Sequence, residues 1–183
     1  MRRATALGLV GVVLLAAPAG ADDRVPPALH TAIAAIAPAS ALLAGTEVGE
    51  DCGEHRARAQ LVRGDFNGDG LRDYAALVRA GEPRSVRVGA GGAEVRVVPV
   101  WFVVFLGRRD EGFDRVVLVR TEAPLPADLA IALRRPGRVW EYDRSASVRL
   151  TWSGIEFFYC GKAAAVYYWS ARGRAFRSVA TAD

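Results

Sequence analysis

Polar and apolar positions divide this chain into three regimes. Residues 4–17 are an uncharged, largely apolar run. Residues 28–36 place Leu29, Ile33 and Ile36 at the three- and four-residue intervals of one helix face. From about residue 59 onward, short runs rich in Val, Phe, Tyr and Trp alternate with clusters of Gly, Pro, Asp and Ser. That alternation is the signature of strands joined by turns.

Pro26-Pro27 suits a first helical turn and Pro38 stops the run, so the spacing predicts a short amphipathic helix over Ala28–Ile36. The helix has room to resume through Ser40–Ala44, and Gly45–Gly53 reads as a loop. Ala59–Val62 and Tyr74–Val78 read as strands around a Gly/Asp-rich connection, and the glycine-rich Gly81–Ala93 as a long exposed loop. Val95–Leu106 is a buried strand by its β-branched and aromatic content. Pro99 inside it calls for a bulge or a locally unpaired edge. A polar turn over Gly107–Gly112 leads to a partner strand at Arg115–Val119. Leu129–Leu133 fits either a strand or a helix turn. Val148–Trp152, Ile155–Cys160, Ala164–Trp169 and Phe176–Val179 then make a meander. The expected fold is α+β and mostly β: an antiparallel sheet or meander with one N-terminal helix, in a single domain over 22–183.

Composition narrows the class. A chain of 183 residues, 51% hydrophobic and 24% charged, is neither collagenous nor disordered, and is too long for a small disulfide scaffold. Met1-Arg2-Arg3, the apolar run and Pro18-Ala19-Gly20-Ala21 before Asp22 have the anatomy of a secretory signal peptide over 1–21. The run is short of the ~20 residues that a spanning helix needs, so no membrane span is expected once the segment is removed. The Arg pair alone does not separate the general from the twin-arginine export route. Cleavage would leave 162 residues and, with Arg2 and Arg3 gone, take the formal charge from +4 to +2. Of the 24 basic residues only Lys162 is lysine, and no basic cluster interleaved with aromatics occurs, so a nucleic-acid partner is not expected. The expected location is periplasmic or secreted. There Cys52 and Cys160 are an even pair suited to a disulfide, with two separate buried thiols as the alternative.

The stretch Gly64-Asp65-Phe66-Asn67-Gly68-Asp69-Gly70-Leu71-Arg72-Asp73-Tyr74 carries the clearest chemistry. Alternate spacing lets Asp65, Asn67 and Asp69 turn toward one centre. Gly70 permits a sharp turn, the Leu71 carbonyl can then face the same centre, and Asp73 closes the far side. Hard oxygen donors in this number suit Ca²⁺, whereas transition metals prefer His or Cys. An EF-hand is excluded, since the twelfth position from Asp65 is Ala76 where that motif needs a glutamate. The alternative is a solvated Asx-rich turn whose carboxylates Arg63 and Arg72 neutralise.

The segment GDFNGDGLRDYAALV resembles the calcium loops of FG-GAP and VCBS repeats, found in integrin-like propellers and in many secreted bacterial proteins. The resemblance implies a loop between two strands with Asp65, Asn67, Asp69 and Asp73 as calcium ligands and Leu71 as a backbone ligand. A propeller is not implied, because a propeller needs several blades and the chain has one such loop. The stretch GIEFFYCGKAAAVYYW is similar to the C-terminal ends of small exported bacterial proteins bearing a single loop of this kind.

No nucleophile elbow, zinc-protease motif or phosphate loop is present. His30 and His55 are isolated, and Glu141, Asp143 and Glu156 form a carboxylate pair only if the fold joins two of them. Phe157, Phe158, Tyr159, Tyr167, Tyr168 and Trp169 fall on adjacent strands, either as core pairs or as an exposed strip for sugars or proteins. The sequence therefore points to an exported, non-enzymatic, calcium-binding β domain with a cell-surface protein or polysaccharide as partner. An exported hydrolase, or an inhibitor of a secreted enzyme presenting Gly81–Ala93, is the alternative.

Overall fold

The computed structural model describes residues 25–56, 60–89 and 91–182. The expected signal segment over 1–21 lies outside them, as does Ala59 at the head of an expected strand. Among the described residues no helix is long and apolar enough to cross a membrane.

Helix α1 (Pro27–Ala34) has Pro at its first position and buries Leu29 and Ile33, four residues apart on one face. Burying two such side chains stabilises by roughly 1.5–3 kcal/mol each. The helix does not resume through Ser40–Ala44. It ends at Ala34, two residues short of the expected Ile36; Pro38 follows in the turn, Ala39 takes a left-handed φ of 60°, and the chain turns back as strand β1 (Ser40–Leu42), with Leu42 opposite Val78. Two short 3₁₀ turns, Gly45–Glu47 and Glu50–His55, occupy the expected loop.

The first sheet contains β1, β2 (Leu61–Gly64), β3 (Asp73–Ala80), β4 (Arg84–Val88), β5 (Ala93–Gly107) and β6 (Phe113–Pro124), all paired antiparallel. β1 and β2 share the outer edge of β3. β3 and β4 share one edge of β5, with Val100 opposite Arg79 and Val97 opposite Arg84. The segment expected as a long loop therefore contains a strand. Backbone pairing holds it with little burial, which is why Arg84, Ser85, Arg87 and Val88 are exposed. Pro99 sits where that edge passes from β3 to β4, a gap in the ladder where no amide is required. The bulge lies elsewhere: Leu118 of β6 is the extra residue between the partners of Phe102 and Val103.

The second sheet runs β12–β11–β10–β7, built from β7 (Leu129–Arg134), β10 (Gly154–Tyr159), β11 (Ala163–Ser170) and β12 (Ala175–Ala182). Leu129–Leu133 is thus a strand, paired along its length with β10. Between β7 and β10 the chain makes β8 (Gly137–Trp140) and β9 (Ser147–Leu150), so β7–β8 and β9–β10 are the arms of one long hairpin. Its far half curls over the outer face of the sheet. There Val139 and Leu150 pack on Val166 and Val179, and the Tyr142 amide donates to the Ala180 carbonyl at 3.0 Å.

The architecture is mostly β, with antiparallel sheets and one N-terminal helix, arranged in three layers. Along β5, Val98, Val100, Phe102, Val104 and Leu106 face the second sheet, while Val103 and Phe105 face α1. Phe102 stacks on Phe157 (5.2 Å between ring centres) and meets Tyr167 edge-on, joining the sheets by their rings. Cys52, in the second 3₁₀ turn, is disulfide-bonded to Cys160, just beyond β10, with 4.9 Å between Cα atoms. Gln60, buried beside this joint, donates to the His55 carbonyl and accepts the Ile131 amide.

Converting both cysteines to alanine should lower stability by about 2–5 kcal/mol, because the bridge closes a loop between residues 108 apart in sequence. Urea unfolding of the double variant beside the oxidised parent measures this, and an unchanged midpoint would refute it.

Candidate metal centre

Gly64 ends β2 directly opposite Asp73, which opens β3, so the Asp/Asn/Gly stretch is the turn of a hairpin. Phe66 anchors that turn from within, fully buried in the core between the sheets. Gly64 makes room for it, since a Cβ there would lie 2.8 Å from the Phe66 ring.

The side chains at alternate positions fold onto the backbone of the turn. Asp65 accepts the Gly68 amide on Oδ1 at 2.7 Å and the Gly70 amide on Oδ2 at 3.0 Å. Asn67 Oδ1 accepts the Asp69 amide at 3.1 Å. Asp69 accepts the Leu71 amide on Oδ1 and the Asn67 side-chain amide on Oδ2, both at 2.8 Å. Gly68 and Gly70 hold left-handed φ values of 79° and 80°, which bring these amides inward.

Asp73 has a second, distinct task. It is buried, and its oxygens accept the Phe66 amide at 2.7 Å and the Gly107 amide at 2.8 Å. It thus clasps the start of the turn to the end of β5. Gly107 permits the approach, because a Cβ there would lie 2.5 Å from the Arg72 carbonyl oxygen. Burial pushes the Asp73 carboxyl above the usual carboxylate range, the two amides pull it down, and the charges of Asp69 and Asp65 push it up again. The sign follows from linkage. A carboxyl whose pKa is raised by folding favours the fold below its ordinary pKa and loses that contribution as pH rises through the raised value.

The turn thus gathers Asp65, Asn67 and Asp69 into one network, with Asp73 in electrostatic reach and Leu71 joined through its amide. Each carboxylate has about four acceptor sites, so Asp65 and Asp69 retain capacity beyond the bonds they make. Among the described residues, no three His, Cys, Asp or Glu side chains form a metal-holding group. Any cage here draws on Asn67 and backbone oxygen as well. An all-oxygen set around a glycine turn fits a hard divalent cation, and the repulsion felt at Asp73 is what such a cation would relieve. Arg63 and Arg72 do not substitute for it, since neither forms an ion pair with these carboxylates among the described residues.

The remaining candidates are dispersed. His30 is exposed on α1, and His55 stacks on Phe158 at 4.6 Å. Cys160 is held in the disulfide. Asp143 accepts the Ser145 amide at a hairpin tip, whereas Glu141 and Glu156 line one groove on the outer face of the second sheet. Phe157 and Tyr167 pack in the core with the Tyr159 ring edge-on to Phe157, while Phe158 lines that same groove. Sequence reasoning missed two partners of the turn. Gly107 carried no signal beyond a strand end. Trp152, expected within a strand, lies after β9 with its indole against Gly68, where a Cβ would overlap the ring.

No protein-family model, curated protein or solved structure matches the chain.

Gly68→Ala should destabilise by more than Gly70→Ala. Both incur left-handed strain of about 1–2 kcal/mol, but only residue 68 also collides with Trp152, adding about 1–3 kcal/mol. Equal midpoints in denaturant would refute the Trp152 contact. Asp73→Ala should cost about 1–3 kcal/mol for each amide it orphans. Hydrogen exchange should then quicken at Phe66 and Gly107, and unchanged protection at both would refute the clasp.

Proposed function

We propose that this protein is an extracytoplasmic, non-enzymatic binding domain whose β2–β3 turn holds a calcium ion. Asp65, Asn67 and Asp69 would supply side-chain oxygens, Leu71 its carbonyl, and Asp73 the carboxylate at the far side. The observation that carries the reading is the uncompensated charge. Three carboxylates within nine residues lack a basic partner among the described residues, and the buried Asp73 is pushed up first by its burial and then further by the charges of Asp69 and Asp65. The ion's role is structural: it neutralises the turn that Trp152 and Phe66 connect to both sheets. The similarity of the turn to FG-GAP and VCBS loops supports the same ion.

The disulfide is compatible with an oxidising compartment, and a periplasmic or secreted location follows the expected export signal. The partner would be a cell-surface protein or a polysaccharide. A hydrolase reading draws on one observation, that Glu141 and Glu156 share a groove. It would require turnover of a glycan that Glu141→Gln or Glu156→Gln abolishes.

Free calcium at 100 times its dissociation constant should raise stability by about 2.7 kcal/mol relative to chelator. The effect should vanish in Asp65→Ala and Asp69→Ala. Calorimetric titration and melting curves measure it. A flat titration together with an unmoved midpoint would sink the calcium reading.

A further inference from the structure

The curled half of the β7–β10 hairpin does more than cover Val166 and Val179. Beyond that small apolar contact it arches over the outer face of the second sheet, pinned by the Tyr142–Ala180 hydrogen bond. A groove of about 1180 Å³ opens beneath it. Pockets for single small molecules span roughly 300–1,000 Å³, so this one suits part of a longer chain.

Its lining is chemically specific. Trp140 and Tyr142 expose 49% and 58% of their surfaces although both are large aromatics. Four cations, Arg134, Arg138, Arg144 and Lys162, line the same groove against two anions, Glu141 and Glu156. Arg134 lies 3.8 Å from Glu156, and the Arg138 guanidinium sits 5.5 Å from the Trp140 ring centre. The Arg144 and Lys162 side chains make no ion pair among the described residues.

We infer that this groove binds an anionic polysaccharide, an inference that rests on the binding-domain reading above and names its ligand class. Exposed aromatic rings present flat apolar faces that stack on sugar rings. Arginine and lysine pair with carboxylate or sulfate substituents in charge-assisted hydrogen bonds. The two glutamates add acceptors: their oxygens take hydrogen bonds from the hydroxyls that a sugar chain presents along its whole length. Cys160 lines the groove and is disulfide-bonded, which is compatible with an oxidising compartment, where acidic glycans are common polyanions.

The single lysine provides the probe. Reductive methylation with ¹³C-formaldehyde labels Lys162 and the chain's α-amino group and nothing else. Titration with hyaluronan oligosaccharides (carboxylate) and heparin-derived oligosaccharides (sulfate) should shift the Lys162 signal saturably with at least one, leaving the α-amino signal in place. Neutral chitin oligosaccharides should bind at least tenfold more weakly. Trp140→Ala and Arg138→Ala, both at exposed positions, should each weaken binding at least tenfold while leaving the melting temperature unchanged. Failure of both acidic glycans to shift Lys162 at millimolar concentration overturns the inference. So does equal binding of the neutral glycan, or tighter binding of oligothymidylate or polyglutamate. Calcium stabilisation without glycan binding refutes the groove alone, and glycan binding without calcium stabilisation refutes the calcium reading alone.

Discussion

Strand β5 runs for 15 residues with apolar side chains on both faces, and water is excluded from both only if each face has its own cover. Phe102 and its even-numbered neighbours require the second sheet, while Val103 and Phe105 require α1. The order of the layers follows from that demand. The disulfide, buried Gln60 and the Phe102–Phe157 stack are the points at which the second sheet is held in register over it. The end of β5 is also where Gly107 donates to Asp73, so the strand that organises the core fixes one side of the acidic turn.

The two sites sit on different layers and draw on different physics. The β2–β3 turn concentrates negative charge on a backbone already bent inward by two left-handed glycines. The groove leaves aromatic and cationic side chains in solvent on a scaffold made by a curled hairpin. Trp152 links them through the chain: it lies between β9, the partner of the β8 strand that walls the groove, and β10, which forms part of its floor, while its ring covers Gly68 of the turn. A change that loosened the turn would be felt first at this indole.

Much of the architecture could be read from residue order, because alternation and turn residues are local signals. The N-terminal helix, the long central strand and the last three strands of the final meander belong to this class, whereas the expected strand over Val148–Trp152 pairs with β8 as β9 and not with β10. The cysteine pairing was legible because the chain has only two. β4 escaped because an exposed ribbon buries no face and its glycine-rich flanks resemble a loop. β8 escaped because Gly137–Trp140 is too short to show a period. The spacing of Asp65, Asn67 and Asp69 was legible. The clasp between Asp73 and Gly107 was not, since it spans 34 residues and depends on tertiary placement of β5. The groove was hidden for the same reason: its cations lie on several elements, and only the curl of the hairpin gathers them.

The irregular step in β6 also bears on how copies of this protein meet. β6 pairs only with β5 among the described residues and so presents a free edge. A regular edge of 12 residues would be a template on which a neighbouring molecule could add a strand. The extra residue at Leu118 breaks the repeat of amides and carbonyls midway, and the flanking Asp114, Arg115, Arg120 and Glu122 surround it with charge. An incoming strand in register with one half of β6 would be out of register with the other. Edge-to-edge polymerisation is thereby opposed by geometry as well as by charge.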